Sequence, residues 1–281
     1  MVAAYDRCRA LRRSILAAFV EPLCMLLPLP QVPLPQIVAG IEAVEVVPGR
    51  CELVDEGQPF AVVVDNSDTP EKLEELLTEL RQCQPKNIWT VFGCRGDEDK
   101  SLRVQMMEVA DELSDCVIIT NDSPRLEPPQ QIVSDIVSGL SDELVNKYAG
   151  YVYQPFQDQA HVPLWFEAYL QKAQRLAKRY VMEDRYSAIR CAIGTAKPDD
   201  VVVIAGRGAC DYMEYWDGKD GIMRGWFDDR VEARNALQKL SILAQLDGKL
   251  DRSTLPWTTD EDGRNDGLDW DDDDAASDDE D

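Results

Sequence analysis

Length, composition and charge limit the kinds of protein that this chain can be. Its 281 residues are enough for one large or two ordinary domains, and 44% hydrophobic residues are typical of a chain that buries a core. The formal net charge of −24 argues against non-specific nucleic-acid binding, which needs clustered lysine and arginine, so we expect no direct binding of nucleic acid. No apolar run approaches the ~20 residues of a membrane-spanning helix, so we expect no membrane contact.

The chain has few residues arranged to bind a metal ion or to act in histidine-based catalysis. The eight cysteines are dispersed without a Cys-x-x-Cys pair, a pattern that favours a reducing compartment and no zinc site. His161 is the one histidine, and a surface or packing role is its simpler interpretation. We therefore predict no metal site and no catalytic residue in this chain.

The first 36 residues differ in composition from the rest. Residues 1–36 carry four arginines in their first half and a proline-rich stretch in their second. An arginine-rich, acid-poor start is typical of an organelle presequence, but the same residues also fit a basic helix that remains from an upstream domain. Both interpretations stay open. Residues 37–52 then predict a short helix and a turn.

From Phe60 onward the sequence predicts alternating strands and helices. The strands are apolar on both faces, which indicates a mostly parallel sheet covered by helices on both sides, an α/β Rossmann-like fold. Thr69 and Pro70 fit the N-cap and first position of a helix. The predicted strands are Phe60–Val64, Ile88–Phe92, Cys116–Thr120 and Val201–Ala205, and the predicted helices are Pro70–Leu80, Ser101–Leu113, Gln131–Leu140 and Asp184–Ala196.

Four polar or glycine-rich loops follow these strands. Ligand sites on parallel sheets lie at the carboxyl ends of the strands, so all four loops are expected to meet at one edge. Each loop alone also fits ordinary turn chemistry. Together they predict one candidate site, built from residues 65–68, 93–99, 121–125 and 206–211.

Seven sequence blocks in order carry a resemblance to a known family. The blocks are Pro48–Glu52, Val62–Leu77, Val91–Lys100, Asp122–Arg125, Glu183–Ile193, Val201–Tyr212 and Phe227–Leu237. They resemble the C-terminal domain of the Mur ligases, and most of all the MurE type, which uses ATP to add diaminopimelate to UDP-N-acetylmuramoyl-L-alanyl-D-glutamate. The resemblance implies a Mur ligase C-terminal-like domain over 37–246, with an insertion at 141–182.

The resemblance also implies what this chain does not contain. The family binds ATP and magnesium mainly through a central domain that would precede Ile37, and no GxxxxGK[ST] motif occurs in these 281 residues. We therefore expect no cofactor for this chain by itself and no independent acyl-phosphate chemistry.

Nucleotide-contacting positions of the family are partly retained. Arg50 matches the arginine that contacts the nucleotide ribose, and Asp65 matches the aspartate of a Val-Asp-Tyr-Ala-His-Thr-Pro block. In that block the tyrosine is replaced by Asn66 and the histidine by Asp68. A carboxylate in place of the histidine would repel a triphosphate, so these positions are predicted to be remnants.

The amino-acid pocket of the family is altered further. Asp122, Ser123 and Arg125 match the family's Asp-Asn-Pro-Arg motif with the asparagine lost, while the arginine that would clamp a substrate carboxylate is retained. Glu98 stands where the family loop offers an arginine, which reverses the charge. In the block that begins at Gly206, the histidine and glutamate that would receive the substrate's ammonium group are replaced by Ala209 and Cys210.

Two segments outside the family blocks suggest partner contacts. Residues 163–182 place aromatic and leucine side chains at helical spacing, which fits either a helix that faces a partner or nucleic acid, or a helix packed on its own domain. The acidic tail, 247–281, is predicted to be disordered. Its residues 260–281 fit either a solubilising tail or a segment that docks on basic surfaces through charge and Trp270.

Three functional hypotheses follow. The first is a MurE-like protein without ligase activity, similar to the chloroplast homologues of plants, that serves as a structural subunit of the plastid-encoded RNA polymerase assembly. The second is a fragment of a working MurE ligase of peptidoglycan precursor synthesis. The third is a small anion-binding module that uses Arg50, Arg125 and Arg207.

Overall fold

The computed structural model describes residues 46–140, 179–219 and 221–246, together with the isolated residues Arg7, Gln36 and Gly40. The predictions for the rest of 1–36, for residues 141–178 of the insertion and for the tail after 246 lie outside these described residues. Among the helices that are described, none is long and apolar enough to cross a membrane.

The described residues form eight strands and five helices. In chain order they are β1 (Glu52–Leu53), β2 (Ala61–Asp65), α1 (Pro70–Gln82), β3 (Ile88–Phe92), α2 (Lys100–Leu113), β4 (Cys116–Ile119), α3 (Pro129–Val137), β5 (Arg179–Val181), α4 (Arg185–Thr195), β6 (Val201–Ala205), β7 (Tyr212–Trp216), β8 (Ile222–Trp226) and α5 (Asp229–Leu246). Six strands form the central sheet in the order β1-β2-β6-β3-β4-β5. In this sheet the neighbours from β2 to β5 pair in parallel, and the short β1 pairs antiparallel with β2 at one edge. A separate two-stranded hairpin is made by β7 and β8.

Helices cover both faces of the sheet, so two apolar cores form. On one face Val63 and Val203 pack with apolar residues of α1, α2 and α3. On the other face Val62 and Val202 pack with apolar residues of α4 and α5. Because successive residues of a strand point to opposite faces, burial on both sides explains the runs of consecutive apolar residues in β2 and β6. The predicted fold class is confirmed.

Two parts of the architecture differ from the sequence prediction. The helical spacing predicted over 163–182 does not reach its last residues, because Arg179–Val181 form strand β5 beside β4. Asp111 and two nearby carbonyls accept hydrogen bonds from Arg179, and these contacts hold β5 at the edge of the sheet. The β7–β8 hairpin was not predicted, because glycines and charges interrupt its alternating pattern.

Helix starts follow the capping rules on which the prediction was based. Thr69 caps α1, whose first residue is Pro70, and Asp184 caps α4. Asp228 accepts a hydrogen bond from the Arg230 backbone N–H at 2.9 Å. The acidic pair Asp228–Asp229 therefore marks a helix start, as expected where carboxylates complement the helix dipole.

A buried ion pair joins the two helices on the second face. Arg185, the first residue of α4, donates two hydrogen bonds to the Asp229 carboxylate at 2.7 and 2.8 Å. It donates another to the Ala205 carbonyl at 2.9 Å, at the end of β6. The Arg185 and Asp229 side chains are 1% and 0% exposed, so neither charge can be solvated if the other is removed.

We predict that Asp229→Ala lowers the free energy of unfolding by about 3–5 kcal/mol, because it leaves the Arg185 charge buried and unpaired. The matched control is Lys86→Ala, which removes an exposed ion pair with Asp199 and is expected to cost at most about 1 kcal/mol. Urea unfolding followed by circular dichroism measures both. Equal losses in the two variants would contradict the importance of the buried pair.

Candidate functional site

The strand order brings the four predicted loops together. β6, the last parallel strand in the chain, lies between β2 and β3, and β4 follows β3. All four strands point the same way, so their carboxyl ends meet at one edge of the sheet. The loops that follow these strands form the candidate site.

Backbone contacts fix these loops to one another. The backbone N–H groups of Gly206 and Gly208 both donate to the Asp65 carbonyl, at 3.0 and 3.2 Å. Gly206 has a φ of +108°, a conformation that side chains disfavour. A Cβ atom at Gly96 would lie 1.9 Å from the Pro124 carbonyl oxygen, so this glycine permits direct backbone packing of two loops.

The nucleotide-contacting remnants are largely occupied within the chain. The Asp65 carboxylate accepts hydrogen bonds from the Cys51 backbone N–H at 2.6 Å and from the Ser67 hydroxyl. Asp68 pairs with Lys72 at 2.6 Å. Arg50 is exposed. The carboxylates of Asp65 and Asp68 thus both contact donors of the chain itself.

A buried ion pair lies at the centre of the site. Arg207 donates to the Asp122 carboxylate at 2.6 Å and also to the carbonyls of Tyr212 and Phe227. Burial alone would raise the pKa of Asp122, but the guanidinium groups of Arg185, Arg207 and Arg95 outweigh it and hold this pKa below its usual value. Because the Arg207 side chain is 0% exposed, the hypothesis that it binds an external anion is wrong.

Arg125 contacts carboxylates of the chain itself. Its Nε donates to Glu214 at 3.0 Å, and its Nη1 donates to the Gly96 carbonyl at 3.1 Å and lies 3.6 Å from Glu98. The hydrogen bond from Arg125 lowers the pKa of Glu214, with a further contribution from Arg224. The guanidinium that the family resemblance assigned to a substrate carboxylate thus already has two internal carboxylates.

Arg95 lies in the predicted loop 93–99, but the sequence reasoning assigned it no role. Its guanidinium lies 3.7 Å from Asp122, 3.9 Å from Asp68 and 4.0 Å from Glu98. Burial would lower the pKa of Arg95, yet these three acids raise it. Its position between Gly93 and Gly96 could have predicted these contacts, because a cation inside that loop lies near the acids of the neighbouring loops.

Ser123 and Cys210 connect the site to the hairpin. The Ser123 hydroxyl accepts the Glu214 backbone N–H at 3.1 Å, and the Cys210 thiol donates to the Tyr212 carbonyl at 3.4 Å. Both residues thus attach β7 to the strand ends. No cluster of three or more metal-binding side chains occurs in the described part of the chain.

A second cluster, which the sequence analysis did not predict, contacts the loop 93–99. Arg103, 1% exposed, donates to the Glu127 carboxylate at 2.8 and 3.0 Å and to the Arg95 carbonyl at 3.1 Å. Glu127 also accepts the Asp97 backbone N–H at 2.7 Å. The hydrogen bonds from Arg103, partly opposed by desolvation, lower the pKa of Glu127 to about 2.

Comparison with known proteins agrees with this architecture. Residues 49–208 match the family described as Mur ligase, glutamate ligase domain, and the chain belongs to the Mur ligase family. The family resemblance seen in the sequence is therefore confirmed.

Particular relatives are of the MurE type. The chain is 36% identical over 227 residues to the chloroplastic MurE homolog of Arabidopsis thaliana, covering 80% of this chain and 26% of that protein. It is 38% identical over 203 residues to the UDP-N-acetylmuramoyl-L-alanyl-D-glutamate–2,6-diaminopimelate ligase of Geobacillus kaustophilus, covering 72% and 34%. A solved structure of such a ligase matches with a TM-score of 0.53 at 28% identity, covering 75% of this chain and 35% of that one. The chain thus spans only 26–34% of the length of these curated relatives.

We predict that Glu127 makes stability depend on pH in the acid range. Its folded pKa of about 2 lies below the ordinary glutamate pKa of 4.5, so its ionised form stabilises the fold above about pH 4.5, and this stabilisation is lost as the pH falls towards 2. Glu127→Gln should therefore be less stable than the wild type by about 1–3 kcal/mol near neutral pH and nearly equal to it near pH 2.

Urea unfolding at a series of pH values measures this difference. The control is Glu108→Gln on the exposed side of α2, which should change stability by less than about 0.5 kcal/mol at every pH. A Glu127→Gln difference that is independent of pH would contradict the prediction.

Proposed function

We propose that this chain is a MurE-like protein without ligase activity that acts as a structural subunit or partner in a plastid complex, the plastid-encoded RNA polymerase assembly. The observation that carries the proposal is the internal neutralisation of Arg125. Its guanidinium lies 3.0 Å from Glu214 and 3.6 Å from Glu98, where an amino-acid substrate would need it free.

The energetics oppose a substrate carboxylate at this position. A second carboxylate placed about 4 Å from Glu98 would be repelled by roughly 4 kcal/mol at an effective dielectric constant of about 20. Glu98 is 42% exposed, so solvent reduces this figure, but Glu214 is only 15% exposed and would have to be displaced from a direct hydrogen bond. Arg125 therefore pairs more favourably with Glu214 and Glu98 than with the carboxylate of a substrate.

The fold is retained although the pocket is altered. Gly96 and Gly206 still permit the close loop packing of a ligase-like site, and the buried pairs of Arg185 and Arg207 hold the strand ends together. A protein that serves as a scaffold needs this shape but not a substrate pocket. Three relatives bear the description chloroplastic, from Arabidopsis thaliana, Zea mays and Oryza sativa, which supports a location in the chloroplast.

We predict that the purified chain shows no saturable binding of diaminopimelate in calorimetric titration up to millimolar concentration. Glu98→Arg should bind at least about tenfold more tightly than the wild type, because it removes the opposing charge and adds a second cation. Glu108→Arg, with the same change in net charge on α2, serves as the control and should not gain affinity. Tight binding by the wild-type chain would instead favour a working ligase domain.

If the chain acts as a structural subunit, a change in the pocket should leave the assembly of the complex intact. In plastids that lack the protein, an Arg125→Ala variant should restore the polymerase assembly as fully as the wild type, measured by the amount of intact complex on native gels. A ligase would require Arg125, so failure of a stable Arg125→Ala protein to restore function would contradict the proposal. The thermal stability of the variant is measured alongside to exclude misfolding.

A further inference from the structure

The β7–β8 hairpin exposes an unusual amount of apolar surface. Trp226 is 64% exposed and Trp216 is 57% exposed. Of the seven large hydrophobic residues that are exposed in the described part of the chain, five lie in this hairpin, three on one face and two on the other. Exposed apolar surface concentrated in one element in this way marks an interaction site. The five are Tyr215, Trp216, Ile222, Met223 and Trp226.

One face of the hairpin carries an ordered set of cross-strand pairs. Trp216 is opposite Ile222, Glu214 is opposite Arg224, and Tyr212 is opposite Trp226. These residues alternate with their neighbours along each strand, so their side chains share one face. The Arg224 guanidinium pairs with Glu214 at 3.1 Å and stacks on the Tyr212 ring at 4.2 Å. Arg224 is 63% exposed, so this face presents an apolar pair at one end and Trp226 at the other, separated by one arginine whose charge is paired with Glu214.

The outer edge of β8 offers backbone groups. The hydrogen bonds from Asp217 to Gly221 and from Phe227 to Asp211 fix the register of the hairpin. In this register Met223 and Gly225 bond to β7, and the N–H and C=O groups of Ile222, Arg224 and Trp226 point away from it. Within the described ranges no backbone hydrogen bond from another segment covers this edge.

The opposite edge of the hairpin is covered. The Arg125 backbone N–H donates to the Glu214 carbonyl at 3.1 Å, and Arg125 forms a bridge with Tyr215. The hairpin is thus attached to the candidate site on one side and open on the other. Two-stranded hairpins are marginally stable in water, and a third strand over an apolar face stabilises them.

We propose that the outer edge of β8 binds an extended segment of another protein, which adds a third strand to the hairpin. The segment is expected to carry alternating apolar residues that cover Trp216 and Trp226, with lysine or arginine at its ends. Strand addition supplies affinity through backbone hydrogen bonds and specificity through alternate side chains. The inference rests on the proposed function for the assumption that the occupant is a partner protein.

Charge favours this occupant over two others. Asp211 and Asp217 are exposed at the two ends of β7, opposite Phe227 and Gly221, and place negative charge at both ends of the hairpin. Cationic residues at the ends of the incoming strand are complementary to these charges. A second copy of a chain of net charge −24 would be repelled, and so would the acidic residues 260–281. A strand from a different protein with lysine or arginine at its ends avoids both of these repulsions.

Photo-cross-linking tests the proposal on the full chain. Benzoylphenylalanine replaces Trp216, and the protein is added to a plastid extract, irradiated and digested, so that mass spectrometry identifies the attached peptide. Benzoylphenylalanine at Glu108, exposed on α2, is the control. We expect attachment to a peptide of a different protein that alternates apolar residues between lysine or arginine residues. Attachment to a second copy, to this chain's own tail, to a peptide without that pattern, or no excess over the control would overturn the proposal.

Two variants of Ile222 separate backbone pairing from side-chain contact. Ile222→Pro removes an outward N–H while all β7–β8 hydrogen bonds remain, so the hairpin itself is spared. Ile222→Thr keeps that N–H. We expect Ile222→Pro to lower the cross-linking yield by about tenfold or more and Ile222→Thr to lower it by less than about threefold.

Equal losses in the two Ile222 variants would overturn strand addition. Thermal unfolding of both variants confirms that they are folded. The diaminopimelate titration uses the wild-type chain and does not depend on these variants. Tight binding in that titration would contradict the proposed lack of ligase activity, whereas the Ile222 variants test only the docking edge.

Discussion

The ion pair between Arg207 and Asp122 connects more of this molecule than any other contact described. It joins the loop after β6 to the loop after β4. Through the carbonyls of Tyr212 and Phe227 it also holds the start of β7 and the residue that follows β8. Two charges removed from water are stable only when their hydrogen bonds are satisfied. The positions of the strand ends, the hairpin and the start of α5 therefore depend on one arginine.

This dependence separates the arginines of the site into two groups. Arg207 and Arg185 are buried and hold the strand ends together, whereas Arg95 and Arg125 lie nearer the surface. The two outer arginines lie within 4.0 Å of carboxylates of the chain itself, namely Asp68, Glu98, Asp122 and Glu214.

Much of the fold followed from the sequence because burial on both faces leaves a clear pattern. β3 and β6 were predicted with the observed bounds, and Thr69 and Pro70 gave the start of α1. The grouping of the loops after β2, β3, β4 and β6 also followed from the parallel arrangement. The partners of Arg95 did not follow, since side-chain pairing across loops depends on distances that no local pattern contains. The hairpin was missed because its exposed tryptophans do not alternate as a half-buried strand does, and β5 was missed because three residues are too few to show a period.

The place of β6 in the sheet has a consequence for how the protein is made. β2 and β3 are consecutive in the chain, but they do not pair with each other, because both pair with β6. During synthesis β2 therefore has no parallel neighbour until β6 has been made, after β3, β4 and β5. Long-range pairing of this kind slows folding and leaves apolar strands uncovered in the meantime. The parallel sheet is thus completed only when β6 enters between two strands that were made long before it.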